Sequence, residues 1–303
     1  MSWTLYRWVW QLHSPLYIGH TPAGALNRTR LYIPARNMWA ALTAEVARQR
    51  ASSSFPNYED IGRKLQEHAR FTYLFPAEQV NGHWYAWLPR YEEDKGLLWH
   101  REDGKNEPDR RFRRRFLHTR PSTAIAPGSG AAEEGTLREV ECIATHWKPA
   151  QGQAHDQPSP VAFVGYVFLN DTLPQHLQSA LKDVREVFIG GETRYGFGHL
   201  VLLPFSKRKP WEEAEKCFGD EVELNGDTPV VKQPSYLVAH GVFPSAKGDR
   251  EALVQWDWQT PRPICQLYWQ PGTQILEPKE EELEFVFFIE RDGFWTGRRK
   301  RKT

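Results

Sequence analysis

Three cysteines and two methionines in 303 residues, and a formal net charge of only +1, are what this sequence has least of. No apolar run approaches the ~18 residues that span a bilayer. Each shortage excludes something. Cys142, Cys217 and Cys265 lie far apart with no C-x-x-C pair, which excludes a disulfide framework and a cysteine zinc site and suits reducing cytosol. The opening stretch MSWTLYRWVWQLH alternates in character and presents no signal-peptide core, so a soluble cytoplasmic chain with no membrane partner is expected. A nearly balanced charge excludes a polycation drawn to nucleic acid as a whole; any such binding has to come from local patches. The histidines show no H-x-x-x-H or H-E-x-x-H spacing, and neither G-x-S-x-G nor G-x-x-x-x-G-K-[ST] occurs. No metal, cofactor, serine nucleophile or P-loop is therefore indicated. The absence of any fixed-period repeat excludes a solenoid.

What the chain does have is aromatic side chains: thirteen Trp and eleven Tyr, with 40% apolar residues in all. That is enough for a core, with some rings left over for interfaces or for stacking. Residues 3–13 alternate as a strand does, with Tyr6, Trp8, Trp10 and Leu12 on one face. ARNMWAALTAEVARQR repeats Met38, Leu42 and Val46 at helical spacing, and Pro34 suits the approach to that helix. Short strands are expected at 71–75 and, past the turn signal Asn81-Gly82, at 83–89. The polar stretch from about 90 to 135 reads as an insertion. Strands at 137–146 and 161–169 are separated by a Gly/Gln/Pro-rich connector. A helix follows, with Leu173, Leu177, Leu181 and Val184 on one face and Asp171 or Thr172 as its cap. The final HLVLLPF is a buried strand.

In order, residues 1–205 read as the β-α-β-β-α-β plan of a ferredoxin-like, RRM-like α+β unit. Residues 206–303 read as a smaller β-rich part, with runs at SYLVAHGVF, ICQLYWQ and LEFVFFIE. The acidic run EPKEEELE reads as a solvated face, and the basic tail GRRKRKT as a solvated end.

The segment GGETRYGFG places Gly190, Gly191, Gly196 and Gly198 within nine positions, around Arg194 and Tyr195. Isolated glycines in such places serve turns and helix ends. Four together also let a backbone approach a ligand and offer N–H groups to phosphate, with Arg194 adding charge and Tyr195 or Phe197 able to stack on a base. The second dense feature is RRFRRRF, residues 110–116. Between Arg101 and Arg120 eight Lys or Arg stand against four Asp or Glu. Phe112 and Phe116 interleave with Arg113 and Arg114, which points to an RNA or partner contact; a disordered charged insertion is the plainer alternative.

IGGETRYGFGHLVLL resembles the glycine-rich loop of the RAMP superfamily, the RNA-binding proteins that build CRISPR effector complexes. LHSPLYIGHTPAG, continuing to LYIPARNMWAALTAEVAR, resembles that superfamily's opening strand, loop and first helix. TRPSTAIAPGSGAAEEGTLREVECI resembles the thumb-like loop and strand of many type III subunits. The three occur in the family's chain order. WDWQTPRPICQLYWQPGT is loosely similar to the second halves of larger type III subunits.

The resemblance implies a RAMP domain over 1–205 and a second, degenerate ferredoxin-like part over 206–303. It implies guide RNA (crRNA), target RNA and other effector subunits as partners, in antiviral defence. RNA contacts are then expected at Gly190, Gly191, Arg194, Tyr195, Gly196, Phe197, Gly198 and His199, at Arg28, Arg30 and Arg36 in the first loop and helix start, and at Arg113 and Arg114. Target-cutting subunits of this family carry an acid in the first loop. GHTPAGALNRTRLYIPAR has none, and Asn27 stands in its area, so no catalysis is expected. Two readings of other classes stand beside this one: a metal-independent endoribonuclease using His13 or His20, and a Trp-rich protein or carbohydrate interaction module without RNA.

Overall fold

The computed structural model describes residues 1–51, 55–149, 158–204, 210–257, 262–276 and 283–301. β1 (Trp3–Leu12) is the alternating strand. Trp8 and Trp10 are wholly buried on one face and Leu5 and Val9 on the other, as a central strand requires. β2 (Leu26–Asn27) is a short piece of the first loop. α1 (Ala35–Arg50) buries Met38, Leu42 and Val46; extended Pro34 stands at its N-cap, where a missing N–H costs nothing, and Arg48 and Arg50 face the carbonyl end. α2 (Tyr58–His68) has no counterpart in the sequence reading. It buries only Ile61, Gly62 and Leu65, too few apolar positions to print a period, and Asn57 Oδ1 caps it by accepting from the Asp60 amide at 3.1 Å.

The expected strand at 71–75 is broken in two, β3 (Ala69–Phe71) and β4 (Phe75–Val80). Thr72 turns the chain between them, its Oγ1 accepting from the Tyr166 amide at 2.8 Å. β5 (His83–Glu92) follows the Asn81-Gly82 turn, where both φ angles are positive, 51° and 83°.

The polar stretch after Arg90 is built structure. β6 (Gly96–Arg101), β7 (Asn106–Pro108), α3 (Asp109–Phe116) and β8 (Leu117–Ser122) occupy it. RRFRRRF is therefore the amphipathic helix α3. Its phenylalanines are core rather than contact residues: Phe112 stacks on Trp99 at 4.3 Å and Phe116 on Trp147 at 4.7 Å, both fully buried. Arg115 is buried with them, paired to Glu78 at 2.6 Å and Glu107 at 3.2 Å. Burial pulls the Glu78 carboxyl up, but Arg115 and Arg101 outweigh it and hold the group below its ordinary range. Phe112→Ala is expected to cost about 3–5 kcal/mol of stability, read as a lowered urea midpoint. Exposed Arg114→Ala should shift it by less than about 0.5 kcal/mol.

β9 (Arg138–Ile143), β10 (Ala162–Asn170), α4 (Gln175–Asp183), β11 (Glu186–Phe188) and β12 (His199–Leu202) complete the first part. Leu173, Leu177, Leu181 and Val184 are buried together, as their spacing predicts. Neither expected cap is used. Pro174 stands at the N-cap of α4, while Thr172 bonds Asn170 Oδ1 and Asp171 accepts from the Ser2 amide. The Gly/Gln/Pro connector at 150–157 lies outside the described residues.

The large sheet runs β11-β12-β1-β10-β4-β5-β6-β7, antiparallel throughout, with β3 beside β10 and β13 (Glu212–Glu213) beside β1. β1 and β10 pair from Trp3↔Asn170 to Gln11↔Ala162. β8, β9 and β2 make a separate three-stranded sheet.

The C-terminal part holds β14 (Lys216–Cys217), β15 (Asp220–Glu223), β16 (Val230–Lys232), β17 (Gly241–Val242), β18 (Ala246–Lys247), β19 (Arg250–Asp257), β20 (Arg262–Trp269), β21 (Gln274–Ile275), β22 (Leu283–Ile289) and β23 (Trp295–Arg301). Eight of these form a sheet in the order β14-β15-β16-β22-β23-β17-β20-β19, and β18 pairs with β21. The basic tail, expected as a solvated end, is strand through Arg301: it pairs with β22 from Leu283↔Arg301 to Ile289↔Trp295. Most of the acidic run, 277–282, lies outside the described residues, as do 258–261 and 302–303. One core joins the two parts, since Trp211 packs on Tyr6 and Trp8, and Phe218 on Phe75 and Tyr166.

Candidate nucleic-acid interface

The chain order read from the sequence makes the glycine segment the link between the second helix and the last strand; it is instead the loop of the antiparallel hairpin β11–β12, with a 3-10 turn at Thr193–Tyr195. Three of its four glycines answer to the chain itself. A Cβ on Gly190 would lie 2.3 Å from the Tyr17 carbonyl oxygen, one on Gly191 2.8 Å from the Tyr17 ring, and one on Gly198 1.9 Å from the Ile189 carbonyl oxygen. The amides follow: Gly191 donates to Tyr17 O at 2.9 Å and Gly198 to Pro15 O at 2.8 Å, stitching the hairpin to the first loop, while Tyr195, Gly196 and Phe197 close their own turn onto Glu192 and Thr193. Most amides once available as a phosphate cradle are thus occupied within the fold. What the loop presents outward is side chain. Arg194 is exposed and Tyr195 is 75% exposed, whereas Phe197 is buried beneath the Arg120 guanidinium, 5.5 Å from its ring.

Beside this tip the β8–β9 hairpin rises and leaves a groove of about 590 Å³, lined by Arg120, Pro121, Thr123, Arg138, Tyr195 and Phe197 among others. Arg138 and Glu192 bridge it at 2.9 Å. The sequence pattern placed the two walls separately but marked neither Arg120 nor Arg138 as a contact. Their spacing along an exposed hairpin carried no period.

The first-loop arginines divide. Arg30 is an internal tie: its guanidinium grips Glu251 of β19 with both nitrogens, one bond at 2.9 Å, and donates to Tyr32 Oη at 3.2 Å. Glu251 also meets His240 Nε2 at 3.0 Å, and His240 Nδ1 meets Tyr73 Oη at 2.7 Å. Arg30 is accordingly committed to protein rather than to phosphate. Arg36 is exposed on the seam, over the Phe294 ring at 5.7 Å. Arg28 and Arg113 come together at His20: burial foremost, then Arg30, with these two adding to it, depresses that ring's pKa. Arg113 is half engaged by Asp109 at 2.7 Å, and Arg114 faces solvent.

His199 stands on the hairpin with His13 beside it, ring centroids 5.6 Å apart. Asn27 Nδ2 donates to the Glu139 carbonyl at 3.2 Å, where β2 runs parallel to β9. Cys142 and Cys217 are buried thiols and Cys265 is exposed. Among the described residues no three His, Cys, Asp or Glu converge as metal ligands, and no helix is long and apolar enough to cross a membrane.

The chain is thus an α+β protein, mostly strand with four α-helices among the described residues, and it presents an arginine- and aromatic-lined groove between two hairpins. No family model matches it, and no curated protein matches it. Among solved structures, a chain of the cryo-EM structure of the Type III-B Cmr-beta bound to cognate target RNA and AMPPnP superposes with a TM-score of 0.50 at 12% identity, over 89% of this chain and 85% of that one. A chain of Cmr-beta bound to cognate target RNA scores 0.40 at 11% identity over 65% and 95%, and one of its apo state 0.40 at 10% over 70% and 98%. At 12% identity the first likeness is one of fold.

Proposed function

We propose that this chain is a noncatalytic subunit of a type III-like CRISPR ribonucleoprotein, of RAMP type, which binds guide RNA and supports assembly. The observation that carries the reading is convergence. The glycine hairpin and the β8–β9 hairpin, far apart in sequence, form opposite walls of one groove, in a fold shared with a chain from an RNA-bound Type III-B complex. Its ten-stranded sheet is an elaborated ferredoxin-like unit. The order β12-β1-β10-β4, with α1 after β1 and α4 after β10, supports that reading.

Arg194, Tyr195, Arg120 and Arg138 meet the RNA, with arginines on phosphate and Tyr195 on a base. Arg28, Arg113 and Arg114 supply a second phosphate contact. The backbone of Asn27 is tied into the β2–β9 pair and its side chain is an amide, which supports binding without cleavage. The C-terminal sheet and the missing acid favour a place at the handle-capping end of the complex.

The test is a titration of the purified protein with single-stranded RNA at several salt concentrations. Log affinity should fall by about 0.7 per phosphate contact for each decade of salt, and the double variant Arg194→Ala/Tyr195→Ala should bind about tenfold more weakly. Absence of binding, or binding indifferent to salt, overturns the proposal. Repeat RNA incubated with the protein in EDTA should stay intact; cleavage abolished by His13→Ala would favour the endoribonuclease instead.

A further inference from the structure

Phe188 lies on β11, the first strand in the order of the large sheet. Its neighbour Val187 is buried, yet Phe188 is 51% exposed, an uncommon position for so large an apolar residue. It is not isolated. Across the strand pair Phe188↔His199 the two rings stack, with centroids 4.8 Å apart and planes 12° from parallel. His13 continues the row at 5.6 Å, edge to face, just past the end of β1. Three hydrogen bonds hold the row in place: His199 Nε2 lies 2.9 Å from Glu186 Oε2, the His199 amide donates to Ser14 Oγ at 2.9 Å, and the His13 amide donates to the His199 carbonyl at 2.9 Å. The hairpin carrying Phe188 and His199 is the one whose loop bears Arg194 and Tyr195.

From this geometry we infer that Phe188 is a stacking site for an unpaired nucleobase, with the base lying on the ring's outer face and extending the pile Phe188–His199. This inference rests on the RNA-binding reading and adds to it a site outside the groove. The ring is covered on one side by an imidazole fixed by a carboxylate and is exposed on the other, which is the arrangement a base needs and a core does not. A flat π face accepts any of the four bases, so the contact is indifferent to sequence. Phe188 ends β11 just before the glycine loop and Tyr195 lies within that loop, so a single strand passing along the hairpin meets one ring on the strand and another in the loop.

The experiment uses the full-length protein and a short single-stranded RNA carrying 2-aminopurine at successive positions. The wild type should bind the RNA and quench the probe at one position through stacking. Phe188→Ala should bind about tenfold more weakly and lose that quenching, Phe188→Trp should keep both, and Phe188→Leu, which keeps apolar bulk without a π face, should behave like Ala. Thermal midpoints of the variants check folding, and an exposed side chain should leave them near the wild type. If the wild type binds and Phe188→Ala binds and quenches equally well, the stacking site is refuted while the RNA-binding reading stands. If Leu preserves binding and quenching where Ala loses them, the contact is merely apolar and the inference fails. A wild type that binds no RNA refutes the underlying reading first. A Phe188→Ala variant that loses association with another protein but not with RNA makes this surface a protein interface and refutes the stacking site.

Discussion

Gly198→Ala is expected to cost on the order of 4 kcal/mol or more and to disorder the β11–β12 hairpin, while Gly196→Ala, two residues earlier, should cost only about 1–2 kcal/mol. The two glycines have nearly the same backbone, φ 77° and φ 80°, so left-handed strain is common to both. They differ in what surrounds them. A methyl on Gly198 would sit 1.9 Å from the Ile189 carbonyl oxygen and 3.0 Å from its carbon, atoms held by a bond from the Ile189 amide back to the Gly198 carbonyl, whereas one on Gly196 meets nothing within 4 Å. Backbone fixed in a hairpin cannot rotate aside as a side-chain tip can. Gly190, at φ 86° and with an added methyl 2.3 Å from Tyr17 O, should behave like Gly198.

Urea midpoints of the three alanine variants measure the difference directly. Equal losses at 196 and 198 would mean that conformation alone, not contact, fixes these glycines. Weakened RNA binding in Gly190 or Gly198 variants would report a broken hairpin, so the proposed contacts have to be probed at Arg194, Tyr195 and Gly196, where the fold tolerates change.

Features governed by local period were legible in the sequence. β1, α1, the Asn81-Gly82 turn and the apolar face of α4 are each specified by residues within a dozen positions of one another. Features governed by distant partners were not. Nothing near Phe112 and Phe116 announces that Trp99 and Trp147 cover them, or that Glu78 neutralises Arg115, and so a core helix read as an RNA or partner contact within a polar insertion. α2 has too few buried positions for its period to show. At the site, the glycine segment stood out because glycine is rare in such density, yet its partner is the Tyr17 backbone, which no pattern reveals. Phe188 was hidden because its strand follows α4 so closely that EVF reads as the end of the helix. Arg30 looked like its neighbour Arg28; only its pairing with Glu251, 221 residues on, marks it as a tie within the protein.

That tie should dominate the acid stability of the protein. The side chains of Arg30 and Glu251 are 12% and 13% exposed, so removing one charge leaves the other stranded away from water. Glu251→Gln is expected to cost about 3–5 kcal/mol, and the apolar double Arg30→Met/Glu251→Leu should cost less than that single change, because it strands no charge. The pH dependence follows from the directions of two shifts. Burial, outweighing Glu251, holds His240 below the ordinary histidine pKa, so the fold prefers the neutral ring; that stability is complete above about pH 6.5 and is lost as pH falls below it. Burial pulls the Glu251 carboxyl up, but Arg30 and His240 outweigh it and hold it well below the carboxylate range, so its contribution is complete above about pH 4.3 and is lost on further acidification.

Thermal midpoints between pH 8 and pH 3.5 should therefore fall in two steps. Glu251→Gln should shrink the lower step and His240→Gln the upper one. A wild-type midpoint that stays level from pH 8 to pH 5 would show that His240 carries its proton without cost and that the network is no tie. Because the same pair fixes the first loop against β19, Glu251→Gln should also loosen the loop to which the glycine hairpin is stitched. On the proposed RNA-binding reading, affinity should then drop along with stability in this variant, although Glu251 is not among the proposed contacts.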